Sequence, residues 1–452
     1  MEMDKYSHSV ILYESKCVGC TICIKSCPTQ AIRVRNGKAI IIDDKCIDCG
    51  ECIKVCPYNA KGAIADTMED VMKYPYKVAM IDPTFISQFG GDVTINEILT
   101  AVKNMGFDEV RESAYSAEII GKVLNKELKK EGNKFPAISS ACPAILRLIQ
   151  VRFPELLPNV IKLESPMEVE ARLTRKELKE KGLKDKDIGI FFISPCPAKI
   201  TSIKKPIDSK EKKSAVNGAF AIKDIYMEVC KNIKRLEKVE NLQRSSKVGI
   251  NWARTGGESK FLTGVCYINV DGIQSVIRVL EQIERGKLKD VDFFEGLACR
   301  GGCVGGALVA ENNFIAKQRI YQMSTKSVLE NDFSQEEIDD YYNSGILHIS
   351  GELTPRMSPP LDDDISIAIK KAEKIEEVFK KLPGLDCGSC GSPSCLSLAE
   401  DIVKGYAKEV DCIFLLKDEL EHLARDLLDL FIKVPPNILK GKIEEGKIDE
   451  GE

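Results

Sequence analysis

The sequence predicts an α/β core flanked by two small cysteine-rich modules, and three observations carry that reading. Short apolar runs preceded by charge, KVAMIDP and KDIGIFFIS, alternate with segments of helical period, EIIGKVLNKELKK and DGIQSVIRVLEQIERG, the pattern of buried strands joined by helices. Eighteen cysteines gather near the start, through the middle and near the end. The 452 residues accommodate roughly three domains at about 150 residues each, read as 1–70, 71–360 and 361–452. In an α/β core a ligand is expected at the loops that follow the strands.

Composition removes several classes of function. Apolar residues make up 44% and charged residues 30%, with Lys+Arg 65 against Asp+Glu 69, so no basic surplus speaks for nucleic acid. The start, MEMDKYSHSVILYESKC, has no basic stretch leading into an apolar run, and no window approaches 18 uncharged apolar residues. A cytoplasmic chain without membrane insertion is expected. In that compartment thiols stay reduced, so dense cysteine points to metal rather than disulfides. His8, His348 and His422 are scattered and give a histidine-based metal site no support.

The first module holds two matching runs, CVGCTICIKSCP (Cys17, Cys20, Cys23, Cys27) and CIDCGECIKVCP (Cys46, Cys49, Cys52, Cys56), each C-x2-C-x2-C-x3-C-P. Thiolates at this spacing suit iron–sulfur clusters, with the fourth cysteine of each run crossing to the other cluster. Cys17, Cys20, Cys23 and Cys56 are therefore assigned to one 4Fe-4S cluster, and Cys46, Cys49, Cys52 and Cys27 to the second. Paired zinc sites are the bland alternative. AIRVRNGKAIIID, with its Asn36-Gly37 turn, reads as the hairpin of a small ferredoxin-like α+β fold.

Near the other end, LDCGSCGSPSCLSLAEDIVKGYAKEVDC places Cys387, Cys390 and Cys395 in a tight loop, with Cys412 a helix later. This region, about 380–415, resembles the small, mainly helical 4Fe-4S domain appended to several anaerobic redox proteins, and a zinc knuckle is the alternative. The proline-rich, then acidic SGELTPRMSPPLDDD reads as a linker, with Asp362 to Asp364 favouring the start of the helix ISIAIKKAEKIEEVFKK.

In the middle, Cys142 in SSACPAIL, Cys196 in ISPCPAKI, and Cys299 with Cys303 in EGLACRGGCVGG sit in loop-like settings. Glycines permit close backbone approach to a cofactor, and Pro143 and Pro197 are read as holding their loops open. Cys230 and Cys266 read as plain core thiols, so sixteen of the eighteen cysteines fall into four sets of four.

These three loops resemble, in order, the signature segments of the FeFe (iron-only) hydrogenases, over about residues 75 to 360. The resemblance implies an α/β hydrogenase-type domain in which Cys142, Cys196, Cys299 and Cys303 hold the cubane of an H-cluster, a 4Fe-4S cluster joined to a two-iron centre with carbon monoxide and cyanide ligands. Cys303 would be the bridge, Lys199 in P-C-P-A-K would contact a cyanide, and Thr84 and Pro195 would line the cavity. The departures matter as much. Ala141 stands where catalytic relatives usually have a proton-relaying cysteine, Ser202 replaces an acid, Met167 a glutamine, and Ser194 and Leu297 replace methionines. Alanine accepts no proton, and general acid–base groups contribute roughly 10²–10⁴-fold to a rate.

The resemblance therefore implies a low-turnover hydrogenase of the sensory branch of the family, which shares the alanine and in one version an added C-terminal cluster domain. It would run H2 ⇌ 2H⁺ + 2e⁻ through three accessory 4Fe-4S clusters. Implied partners are hydrogen and protons, ferredoxin or another electron carrier, maturation proteins, and a signalling kinase or phosphatase. The rivals are a ferredoxin-linked catalytic hydrogenase with an unusual proton path, for which Glu112 or Glu295 offers an acidic bypass, and a non-enzymatic iron–sulfur scaffold. After Cys412, Ile413, Leu416, Leu420, Leu423, Leu427 and Leu430 form a heptad seam that could pair two copies into a homodimer, dock a signalling partner, or pack on its own domain. Pro435 and Pro436 end that helix before a solvated tail.

Overall fold

The computed structural model describes residues 8–90, 92–207, 213–356 and 359–433. Pro435, Pro436 and the tail lie outside the described residues. The chain divides into two compact units: residues 8–31 with 40–356, and residues 32–39 with 359–433. In chain order the first elements are β1 (Val10–Leu12), α1 (Ile22–Ser26), β2 (Ile32–Arg35), β3 (Lys38–Ile41), α2 (Glu51–Lys54) and β4 (Lys61–Ala63), with β1 antiparallel to β4. Asn36 and Gly37 take φ of 51° and 71°, the left-handed pair that a two-residue hairpin turn requires.

The core of the first unit continues with β5 (Tyr76–Ile81), α3 (Pro83–Ile86), β6 (Glu109–Glu112), α4 (Ser113–Leu128), β7 (Ala137–Ile138), α5 (Pro143–Arg152), α6 (Pro166–Glu180), β8 (Ile188–Ser194), α7 (Pro197–Lys204), β9 (Gly218–Ala221), β10 (Tyr267–Asp271), α8 (Ile273–Glu284) and β11 (Phe293–Leu297). Two parallel sheets result, with strand orders β6-β5-β8-β9 and β10-β11-β7. The apolar runs and helical periods read from the sequence fall on β5, β8, α4 and α8. All seven residues of β8 are buried, as a parallel strand covered on both faces demands, and each large apolar side chain so buried contributes about 1.5–3 kcal/mol.

Parallel pairing sends every strand's carboxyl end the same way within its sheet. Asp82 follows β5, the Ser139–Cys142 loop follows β7, Pro195 and Cys196 follow β8, and Ala298 and Cys299 follow β11. Cys230 is partly buried and packs against the core of the first unit, as read, whereas Cys266 is exposed, which corrects its reading as a core thiol. Cys266 immediately precedes β10, the edge strand of its sheet, with its backbone tied to Asp292 and Phe293 and its side chain exposed.

In the second unit α9 (Ile365–Lys381) is capped by Asp364, whose carboxylate accepts from the Ser366 and Ile367 amides at 2.7 and 3.2 Å. Ile375, Val378 and Leu382 pack with Leu398 and Ala399 of α10 (Cys395–Val403) and with Cys395 and Cys412. The 32–39 segment is stitched in by the Val34 amide donating to the Gly391 carbonyl at 2.7 Å, and by Arg33 and Arg35 meeting the buried Asp401 carboxylate at 2.6 and 2.7 Å. α11 (Ile413–Lys433) has no buried residue, and its seam from Ile413 to Leu430 is exposed, so the reading in which it packs on its own domain does not hold. No described helix is long and apolar enough to cross a membrane.

Removing one member of a buried ion pair strands the other charges. Asp401→Asn is expected to destabilise the second unit by about 3 kcal/mol, measured as a lowered urea midpoint; an unchanged midpoint would show that the arginine pair contributes nothing.

Candidate metal centre

Cys142, Cys196, Cys299 and Cys303 line one cavity, together with Ala141, Pro195 and Leu297. Cys142 and Cys196 are the residues capping α5 and α7, and Pro143 and Pro197 are the first helical residues. The prolines thus begin helices rather than prop loops open, because proline's fixed φ and missing N–H suit that position. Each cysteine thus stands at the positive end of a helix dipole, and the Lys199 amide hydrogen-bonds the Cys196 sulfur. The third loop fits only as glycine: Gly302 has φ 98°, and a Cβ on Gly306 would lie 2.2 Å from the Pro195 carbonyl oxygen.

Burial pushes the Cys196 thiol up to about 12 and raises Cys299 and Cys303, and the sulfurs add to one another. Cys142 raises all three, while Lys199 counters at Cys196 and Cys303, and Lys54 of α2 counters at Cys299, whose sulfur it hydrogen-bonds. Four sulfurs on one cavity that repel as thiolates are a donor set suited to a bound polycation. This chemistry fits a 4Fe-4S cubane.

A second cavity adjoins Cys303 and is lined by Asp82, Ala141, Lys199, Leu297, Glu258 and Glu295 among others. Lys199 is ion-paired with Asp82. Burial works to lower the Lys199 pKa, but Asp82 and the Cys303 and Cys196 sulfurs override it, and the ammonium stays charged. Glu258 accepts from Ser139 Oγ at 2.5 Å, and that hydroxyl accepts from the Ala141 amide at 3.2 Å. Glu295 accepts from the Gly256 and Ser259 amides, each at 2.9 Å. Burial raises the pKa of both carboxyls, and the charge of Glu295 raises Glu258 further.

The remaining expected residues are placed less directly. The Thr84 amide donates to Asp82 at 2.8 Å, and its buried hydroxyl has no partner among the described residues. Ser194 Oγ donates to the Cys196 carbonyl at 2.9 Å, a local tie at the end of β8. Met167 and Ser202 line a third cavity, which Lys199 also reaches. Glu112 is bound to Arg244 and Ser245 rather than facing the second cavity, and burial pushes its pKa up to about 7.

Among the N-terminal cysteines, Cys27 stands with the second run, raising Cys46, Cys49 and Cys52, while Cys17 and Cys20 act on Cys23. The Ala31 and Ala60 amides donate to Cys27 Sγ and Cys56 Sγ at 3.2 and 3.3 Å, the same contact in each half of the repeat. Cys49 also lines the four-sulfur cavity. His8, remote in sequence, has a ring nitrogen within 4.8 Å of donor atoms of Cys46 and Asp48, a grouping sequence spacing did not reveal. In the second unit Cys390 is raised by burial and then by Cys387 and Cys412, which places three sulfurs together, and Cys395 packs in the same cluster.

Sequence reading missed Asp82, Glu258 and Ser139. Asp82 adjoins Thr84 in DPTF and was within reach of the same inspection, whereas Glu258 in TGGES carries no local mark of its position.

Comparison with known proteins agrees with this architecture. The model of the iron only hydrogenase large subunit, C-terminal domain, matches residues 76–265 and 231–307, together just over half of the chain. A 4Fe-4S dicluster domain matches 16–60 and an Fe-S cluster family matches 382–414. Iron hydrogenase 1 of Clostridium pasteurianum is 26% identical over 375 residues, 67% of this chain, which spans 65% of that protein's length. The periplasmic Fe hydrogenase large subunit of Nitratidesulfovibrio vulgaris is 26% identical over 360 residues, covering 66% of this chain and 86% of that one. In fold, the chain is similar to a variant of the FeFe-hydrogenase of Chlamydomonas reinhardtii, with TM-score 0.50 and 16% identity over 65% of this chain and 97% of the other. The chain belongs to the iron-only (FeFe) hydrogenase large-subunit family.

Proposed function

We propose that this chain is a low-turnover, regulatory hydrogenase that runs H2 ⇌ 2H⁺ + 2e⁻ and signals through the redox state of its clusters. When bound, an H-cluster supplies the iron at which hydrogen is split or formed; Cys142, Cys196, Cys299 and Cys303 would hold it. The observation that carries the regulatory reading is Ala141, which lines both cavities beside Cys303 and offers no proton-bearing group. Lys199 supplies a fixed cation to an anionic ligand in the second cavity. Protons must then pass to Glu258 or Glu295, the carboxyls that line that cavity near Ala141.

Their raised pKa sets the pH at which they can take a proton. A buried carboxyl that is already protonated cannot accept a proton, so below its raised pKa Glu258 donates and above it accepts. Electrons would leave through the cubane toward the cluster of Cys46, Cys49, Cys52 and Cys27, since Cys49 lines the cubane cavity. The remaining cysteine sets would complete three accessory 4Fe-4S clusters, exchanging with ferredoxin or a similar carrier. The exposed seam of α11 would take a second copy of the chain or a signalling kinase or phosphatase, and maturation proteins would install the two-iron centre.

Infrared spectra of anaerobically matured protein are expected to show cyanide and carbonyl bands that shift under hydrogen alongside weak turnover. Their absence, with full iron loading and a control hydrogenase successfully matured, would sink this reading and leave an iron–sulfur scaffold. Hydrogen oxidation by the wild-type chain is expected to rise with pH as Glu258 ionises. Glu258→Gln is expected to flatten that profile and lower the rate by roughly 10²-fold at unchanged iron content, and an unchanged profile would remove Glu258 from the path.

A further inference from the structure

We propose that Asp82 is a positioning residue for Lys199, anchoring its ammonium beside Cys303 and setting how much of its charge an anionic ligand in the second cavity feels. The inference rests on the hydrogenase reading above and extends it to a residue outside the expected site.

The pairing is built into the sheet. β5 and β8 are adjacent parallel strands with Ile81 opposite Ile193. Asp82 is the first residue past β5, and Lys199 lies in the first turn of α7, which opens just past β8. The two side chains therefore meet at the carboxyl ends of neighbouring strands. Asp82 is itself held, because one carboxylate oxygen caps α3 by accepting from the Thr84 amide at 2.8 Å while the other accepts from Lys199. Both side chains are shielded, at 2% and 13% exposure for Asp82 and Lys199.

The position matters because Lys199 borders all three cavities around the cysteine loops and is the one cation among the described residues lining the cavity beside Cys303. A lysine stem has four rotatable carbons and would otherwise sample each cavity. Its ammonium has three donors, of which Asp82 engages one and thereby orients the other two. The Phe192 ring, 5.4 Å from Nζ, supports the same placement. An ammonium paired with a carboxylate presents a weaker field to a third group than a bare one. Asp82 thus sets both the direction and the strength of the contact that Lys199 makes.

Asp82→Asn separates this role from the structural one, since asparagine is as good a helix cap as aspartate but carries no charge. In infrared spectra of matured Asp82→Asn protein, the cyanide stretch is expected to shift and broaden relative to wild type as Lys199 loses its anchor, with the carbonyl bands moving less. Asp82→Glu, which restores the carboxylate, is expected to return the band toward a single sharp position. Cyanide bands in Asp82→Asn that match wild type in position and width would overturn the role of Asp82 alone. Wild-type protein without any cyanide band would overturn the hydrogenase reading and this inference with it. If Asp82→Asn fails to retain iron, Asp82→Ser, which also caps, takes its place in the same comparison, with the same spectra deciding.

Discussion

Four sulfurs gathered around one cavity repel each other once ionised, and burial withholds the water that would relieve them. The surrounding fold supplies what water would have given. Two helices begin at Cys142 and Cys196 and place each cysteine at the positive end of a dipole, Lys199 stands by Cys196 and Cys303, and Lys54 hydrogen-bonds Cys299. The two helices and Lys199 depend on parallel strands whose carboxyl ends point the same way, so that residues far apart in sequence emerge at one place, while Lys54 comes from α2 of the N-terminal module.

The neighbouring cavity obeys a different electrostatic rule. It holds Asp82, Glu258 and Glu295 with a single lysine, a surplus of acid that only works where most of that acid is kept neutral or paired. Asp82 is paired with Lys199, while burial raises the pKa of both glutamates and the charge of Glu295 raises Glu258 further. A carboxyl whose pKa is raised toward neutral pH can both give and take a proton there, which is the property a proton carrier needs.

In the second unit the same economy of charge appears in structural form. Asp401 draws Arg33 and Arg35 from the N-terminal hairpin into the packing of α9 and α10, so a segment that is contiguous with one cysteine-rich run contributes to the frame around another. The exposed apolar seam of α11 is the counterpart of that closed packing, a face with six regularly spaced large side chains left open.

Sequence alone determined the chemistry of the ligands and the local elements. Cysteine spacing, the buried runs of β5 and β8, the periods of α4 and α8, the Asn36-Gly37 turn and the Asp364 cap are all short-range properties, fixed by residue type and local backbone preference. The absence of a proton-bearing side chain at Ala141 was equally plain. Tertiary structure decided which charges face the ligands. Asp82 meets Lys199 only because β5 pairs with β8, Glu258 meets Ser139 across 119 residues, and His8 reaches Cys46 from the far side of the repeat. It also decided that the prolines after Cys142 and Cys196 start helices and that Cys266 lies on an edge. Such contacts join residues whose sequence neighbours carry no trace of the encounter, since strand order and register, not local preference, bring them together.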